Sequence, residues 1–346
     1  MKRIVSILCF LLLIGSSFWL ILRFADRAEM QKKEESLSGE SVTVYTDMPA
    51  EMMGVLSTHF MQENKIKLNI VYVSSAQMLQ NAGSEAEKPD VYLTSQEGLI
   101  RLKKAGKLSA YTSSQTDTIL DLFKDEDSCW TGIWVDPTVF AVNQDFYFSH
   151  PAFSYTWNEV FSRKSVDLSM TDFIASDVSA DLLMCLSEHF GIRETFSLLS
   201  SAQSHVVQYG KYLSTPSRMA AMSKCDIGIS GLGEALRTQH ENMPLFVVYP
   251  EDGSPWYLYG GGIAAGAVHS DNAHKLFDWL LSSYRLKKEM EEKQFYYIYV
   301  NDTDKTPPLN GFQLTFWELE KNYYEEGKKD LLNQWGEKVR FGGTER

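Results

Sequence analysis

The chain predicts an α/β fold, a mostly parallel sheet with helices packed on it. Three observations carry this. A unit of strand, polar turn and helix recurs three times between Val42 and Gly106, and the same grammar continues through the middle of the chain. Residues with capping-box spacing stand at helix starts. The 346 residues, 44% hydrophobic and 23% charged, suffice for a packed core and for two domains of ordinary size.

The elements follow in order. Val42–Tyr45 is a β-rich run, and Thr46-Asp47-Met48-Pro49 leads into an apolar-periodic helix reaching Asn64. Lys67–Val73 is a second strand, after which Ser74-Ser75 opens a helix through Leu79. Asp90–Leu93 is a third. Thr94-Ser95-Gln96-Glu97 has Thr and Glu at capping-box spacing, and Gly106 ends the helix it opens. Further strands are expected at Thr138–Val142, Val166–Leu168, Asp226–Ile229, Phe246–Tyr249 and, rich in glycine, Gly261–Val268. Helices are expected after Thr156, from Ser176 to Phe190, after Thr215-Pro216, and over Asp271–Ser282. The final aromatics Trp317, Tyr323, Tyr324 and Trp335 read as core of a helical cap.

Ahead of this body, Ile4–Leu22 is a charge-free apolar run behind Lys2 and Arg3, long enough to cross a bilayer as one helix. Phe24-Ala25-Asp26-Arg27-Ala28 offers no clean cleavage site, so residues 1–24 read as a signal anchor, with a cleaved signal peptide as the alternative. Residues 25–41, rich in Lys, Glu and Ser, form a linker. Flanking charges do not fix the orientation.

Composition excludes several functions. The net charge of -12 argues against nucleic acid. Cys129, Cys185 and Cys225 match no zinc or redox spacing and leave room for at most one disulfide. There is no H-E-x-x-H and no P-loop. Gly228-Ile229-Ser230-Gly231-Leu232-Gly233 approaches a nucleophile elbow but has Leu232 where glycine is required. Asn301-Asp302-Thr303-Asp304 lacks the EF-hand glycine, since Pro307 occupies that place. No nucleophile and base pair is evident, so catalytic, metal and cofactor assignments are all none.

In open α/β sheets, ligands sit beyond the carboxyl ends of the strands. Those ends here carry Thr46, Asp47, Ser75, Thr94, Ser95, Ser176 and Ser230. Hydroxyls at helix N-termini, where unpaired N–H groups and the positive dipole end collect, suit a small anion or polar solute. Each is also an ordinary helix cap. Arg218 and Tyr257 complete the candidate set, the first as an anion partner and the second as a cleft-lining ring.

From Val42 to about Pro308 the chain resembles the extracellular solute-binding proteins of ABC importers. It is closest in pattern to the type II periplasmic-binding group that includes ferric-ion, thiamine, polyamine and phosphonate receptors. The resemblance rests on Val42–Thr46, Pro89–Thr94 with Lys104–Leu108, Phe140–Asn143, Thr156-Trp157, Val248–Gly253, Asn272–Phe277 and Leu280–Ser282, in that order and spacing. It implies two α/β lobes joined by hinge strands near Val139–Asn143 and Gly262–Val268. Lobe one would be 42–139 plus 264–346, and lobe two 140–263. It further implies a monomer that closes on a solute and is read by a membrane permease. A phosphate ester, phosphonate or carboxylate is the expected solute. Two alternatives remain. One is a sensing subunit acting on a sensor kinase, as in regulators of phosphoglycerate transport, and the other is an enzyme on the same scaffold. Where ferric-binding relatives place metal-holding acids and a tyrosine pair, this chain has Pro49 and its neighbours, Ser95, and Ser230–Gly233. The resemblance therefore predicts no iron site.

Overall fold

A computed structural model describes residues 40–80, 88–321 and 327–342. The apolar run 4–22, the linker up to residue 39, and Tyr323 and Tyr324 lie outside the described residues. Among those described, no helix is long and apolar enough to cross a membrane.

The first lobe is built from β1 (Ser41–Thr46), α1 (Ala50–Asn64), β2 (Lys67–Tyr72), α2 (Ser75–Gln80), β3 (Val91–Ser95), α3 (Gln96–Lys104), β4 (Leu108–Ser109) and the first half of β5 (Thr131–Asn143). The second lobe contains α4 (Gln144–Ser149), α5 (Trp157–Ser162), β6 (Leu168–Thr171), α6 (Asp177–Phe190), α7 (Ile192–Ala202), β7 (Val206–Gly210), α8 (Thr215–Ala221), β8 (Ile227–Gly231), α9 (Leu232–His240) and β9 (Leu245–Val248). The chain then returns through β10 (Trp256–Ala264), α10 (Ser270–Ser282), α11 (Tyr284–Glu292) and β11 (Ile298–Tyr299), and ends with α12 (Lys328–Gln334).

One curled sheet runs β2-β1-β3-β10-β5-β8-β6-β7. β1 is parallel to β2 and β3, and β6 is parallel to β7 and β8, as the recurring strand, turn and helix predict. β5 is the member common to both halves. Its start pairs with β10, and Thr138–Val142 pairs with β8. Both faces of the sheet are covered, so β1, β3 and β8 are buried along nearly their whole length rather than at alternate residues.

Three assignments are corrected. The second crossing between lobes is the segment from Tyr249 to Trp256, which joins β9 to β10, and not Gly262–Val268. Gly261, Gly262 and Ile263 pair with β3 inside lobe one. The first crossing lies at Asp136–Thr138, where β5 leaves β10 for β8, slightly ahead of Val139. The C-terminal stretch packs mainly on lobe two and not on lobe one alone, although Phe316 meets Phe123 and Lys328 reaches Glu97 on lobe one. Asn310 donates to the Val247 carbonyl at 2.8 Å, Trp317 stacks on His189, and Trp335 and Val339 bury against lobe two. Trp317 and Trp335 are core, as expected, but the core is that of the other lobe.

Candidate functional site

The carboxyl ends of the strands face each other across the gap between lobes. On lobe one, β1 ends at Thr46, which is fully buried and accepts from the Met48 N–H at 3.1 Å. Asp47 follows, open to solvent, and its carboxylate accepts from the Thr94 hydroxyl at 2.9 Å. Thr94 is therefore not the cap of α3. It belongs to β3, and Ser95 caps the helix by accepting from the Gly98 N–H. The physical reason is burial: Thr94 is inside the sheet, and its hydroxyl finds a carboxylate there rather than the next helix. The Tyr257 hydroxyl lies within hydrogen-bonding reach of Ser95.

On lobe two, Ser176 caps α6 in a reciprocal box with Ser179. Ser230 is buried at the end of β8. The next helix, α9, starts at Gly231 without a cap from its own segment. Its cap comes from the hinge: the Asp136 carboxylate accepts from the Gly233 N–H at 3.0 Å. A Cβ on Gly231 would stand 2.5 Å from Asp136 Oδ2, so the glycine that resembles part of an incomplete catalytic motif is what admits this carboxylate. Burial pushes the Asp136 carboxyl up to about 7, against the lowering effect of that N–H. Asp47 keeps an exposed edge, yet partial desolvation by the walls around it raises its carboxyl against the lowering effect of the Thr94 hydroxyl, with Asp177 across the gap adding to the rise.

Three tyrosines lie together between the carboxylates. Tyr257 and Tyr259 of β10 sit with ring centroids 5.0 Å apart, and Tyr297 meets Tyr259 at 5.6 Å. Burial first, then nearby carboxylates and phenols, raises all three hydroxyls, so they stay protonated at neutral pH. A cavity of about 40 Å³ is lined by Asp136, Thr171, Ser179, Asp181, Ser230 and Tyr257, from both lobes. That holds a few waters. A larger opening of about 590 Å³ adjoins it at Leu213, and its walls include Pro49, Glu234, Arg237, Tyr259 and Tyr297.

The structure thus brings together Asp47, Thr94, Ser95, Ser230 and Tyr257, with Thr46 buried behind them. Ser176 reaches the rim only through its helix. Ser75 is inside α2, whose start is organised by Ser74 and Gln77. Arg218 forms a two-oxygen ion pair with Glu241, beyond the far end of α9. Nine residues of helix put that end about 13 Å from the cleft-facing start. Asp136 and Tyr297 are not among the residues that sequence patterns single out. The usable signal for Asp136 is a lone acid set in the apolar run Ile133–Val142.

Cys129, Cys185 and Cys225 are free thiols. Among the described residues, no three His, Cys, Asp or Glu side chains converge to hold a metal.

Two α/β lobes joined by crossing strands, with polar side chains and rings converging between them, define a cleft-type binding protein. Residues 42–284 match the family model of bacterial extracellular solute-binding proteins, and the chain belongs to that family. Solved structures agree on the fold. The ferric ion-binding protein A of Pasteurella haemolytica superposes with a TM-score of 0.72 at 16% identity, covering 89% of this chain and all of that one. The periplasmic binding protein AfuA of Actinobacillus pleuropneumoniae, with fructose-6-phosphate bound, superposes at 0.67 and 21% identity, covering 87% and 99%. A protein of Haemophilus influenzae with no described function is 30% identical over 156 residues, which is 44% of this chain and 45% of the relative. The match thus spans less than half of that relative's length. The family is one of binding proteins and not of enzymes, and the fold is the type II periplasmic-binding fold.

Proposed function

We propose that this chain is an extracytoplasmic receptor, tethered by residues 4–22, that takes a small ammonium-bearing solute into its cleft for an ABC permease. The observation that carries the ligand class is the pairing of the cleft carboxylates Asp47 and Asp136 with the protonated rings of Tyr257, Tyr259 and Tyr297. Carboxylates and aromatic faces together attract cations. An anionic solute fits less well than the sequence suggests. Three of the helix N-termini meant to receive it carry caps from the chain's own groups, Ser95 on α3, Ser176 on α6 and Asp136 on α9, while α1 and α8 have no side-chain cap. A sugar phosphate such as the one bound in the Actinobacillus protein would meet Asp47, Asp136 and Asp177 with charge of the same sign. Ferric ion prefers several anionic oxygen ligands, and among the described residues no three His, Cys, Asp or Glu side chains converge to hold a metal.

Membership of the solute-binding family supports delivery to a permease, and no observation favours the kinase-linked alternative. The test is a thermal-shift screen of the purified full chain against spermidine, thiamine and choline, with fructose 6-phosphate, inorganic phosphate, citrate and ferric ion as the opposing set. A solute at 100 times its dissociation constant adds about 2.7 kcal/mol of stability. A shift with the phosphates and none with the amines removes the ammonium reading and keeps the receptor. Turnover of any cleft solute removes the receptor reading itself.

A further inference from the structure

One ammonium group already stands in the lobe-two wall of the cleft, and the chain itself supplies it. The Lys321 Nζ donates to Asp181 Oδ2 at 2.8 Å and to the Trp256 carbonyl at 2.6 Å, and it lies 4.1 Å from the centre of the Trp256 ring. A carboxylate, a carbonyl and an aromatic face are the partners that suit an alkylammonium out of water. The side chains of Lys321 and Asp181 are only 2% and 4% exposed. Burial alone lowers the ammonium's pKa, but Asp181 beside it outweighs that and holds it raised. The surroundings fix this geometry. The Trp256 indole N–H donates to the Trp317 carbonyl, which sets the ring, and the Lys321 N–H donates to Glu188 at 2.9 Å. Lys321 has a φ of 56°, in the left-handed region that favours glycine, a conformation that its partners impose on it.

The same carboxylate and ring belong to the cleft. Asp181, Cys185 and Trp256 line the inner cavity between the lobes together with Asp136 and Tyr257. After burial, the Tyr257 phenol is raised by Asp181 of one wall and by Asp47 of the other, so acids from both lobes converge on one ring. We infer that Lys321 is a specificity-determining residue: it fills the lobe-two cation position of the cleft with its own ammonium and so restricts the receptor to solutes that bear a single ammonium group. Asp47 and Asp136 receive that group. A second ammonium reaching across the cavity meets Asp181 already neutralised, and meets Lys321 with charge of its own sign. Selectivity of this kind comes from a built-in repulsion as much as from attraction. The inference rests on the ammonium reading of the cleft and narrows it.

Butylammonium and putrescine differ by one ammonium group and serve as the probes, in calorimetric titration of the full chain. Putrescine is expected to bind the wild type no tighter than its two equivalent ends allow, about twofold over butylammonium. Lys321→Gln keeps a neutral donor for Asp181 and the Trp256 carbonyl while releasing the charge of Asp181. It is expected to raise the ratio of putrescine to butylammonium affinity by about tenfold to a hundredfold. Lys321→Gln combined with Asp181→Leu returns the ratio to that of the wild type. A second measurement needs no cleft solute. Propylammonium replaces the carbons and the charge that Lys321→Ala removes. It should raise the melting temperature of that variant at concentrations where propanol does not, and leave Lys321→Ala with Asp181→Leu unmoved. A ratio that stays unchanged in Lys321→Gln while butylammonium still binds overturns the inference and leaves the ammonium reading in place. Wild type that takes putrescine about tenfold tighter than butylammonium overturns it as well. Propylammonium acting no better than propanol denies that Asp181 and Trp256 form an ammonium position. Binding of neither amine to any form removes the ammonium reading itself, and the inference falls with it.

Discussion

The two walls of the cleft treat their carboxylates differently. Lobe two spends three of its acids on the chain's own C-terminal cations: Asp172 on Arg340, Asp177 on Lys328 and Asp181 on Lys321. Lobe one leaves Asp47 facing the gap with the Thr94 hydroxyl as its side-chain partner among the described residues. Paired acids in a low-dielectric surround fix structure, because removing either partner strands a charge. An acid supported only by a hydroxyl keeps its charge available to a visitor. One wall is therefore tied to the tail of its own chain through three acids and the other through Glu97, which leaves Asp47 to meet a solute.

The strongest way to break this contrast is at Lys321, which is buried, donates to Asp181 and the Trp256 carbonyl, and lies over the Trp256 ring. Lys321→Met should cost about 3–5 kcal/mol by stranding Asp181, read as the shift in the denaturant midpoint. Adding Asp181→Leu should recover most of it; a double variant as unstable as the single one would deny that the pair is what fixes the wall. On the other wall, Asp47→Asn should leave the midpoint within about 0.5 kcal/mol. The same change should weaken an ammonium solute by roughly tenfold to a hundredfold, the loss of one charged contact. Calorimetric titration checks this.

Asp136 sharpens the comparison because it sits where the lobes join. Its carboxyl stands at about 7 in the folded chain, raised by burial among Tyr249, Tyr259, Tyr297 and Glu234, with Arg237 opposing. Between the ordinary carboxylate value near 4 and about 7, the folded state holds a proton that the unfolded chain has released. Stability should therefore decline as pH rises through that window and level off above about 7. Asp136→Asn keeps an acceptor for the Gly233 N–H and should flatten the decline, as urea midpoints at pH 5 and pH 8 would register. Affinity for an ammonium solute should fall below about pH 7 in the wild type, since the proton competes for the same carboxylate.

The smaller effects mark the limits of the site. Ser176→Ala should cost about 1 kcal/mol as a lost helix cap and leave solute affinity unchanged. Thr94→Ala should weaken binding by a few-fold through Asp47. Arg218→Ala, which removes an exposed pair with Glu241, should shift stability by about 0–1 kcal/mol and affinity not at all.

Much of the framework is legible in the amino-acid sequence. Ser176 to Phe190 is the helix that its cap and Gly191 predict. Thr215-Pro216 opens α8, and the turn at Pro250–Pro255 stands between β9 and β10. These are local signals, set by caps, breakers and apolar periodicity over a few residues. Such signals fail where partners are distant in the chain. Thr94 has capping-box spacing, yet its hydroxyl goes to Asp47, 47 residues away. Arg218 has the charge to hold an anion, yet Glu241 claims it. The Val206–Gly210 strand and the α7 helix are not among the expected elements: α7 does carry helical spacing, with Thr195, Leu198, Leu199 and Ala202 buried, whereas the strand is defined by its pairing with β6.

The α/β class, the family, most helix starts and the hydroxyl-bearing strand ends follow from the amino-acid order alone, because short-range chemistry writes all of these. Tertiary packing was needed to decide which lobe owns the C-terminus and which acids are already spent. It also decided that a hinge carboxylate, not a serine, caps α9. Those outcomes depend on pairings between residues far apart in the chain, 168 positions for Arg340 and Asp172 and 231 for Lys328 and Glu97. Charge and hydrogen bonding fix such pairings only once burial has brought the partners together.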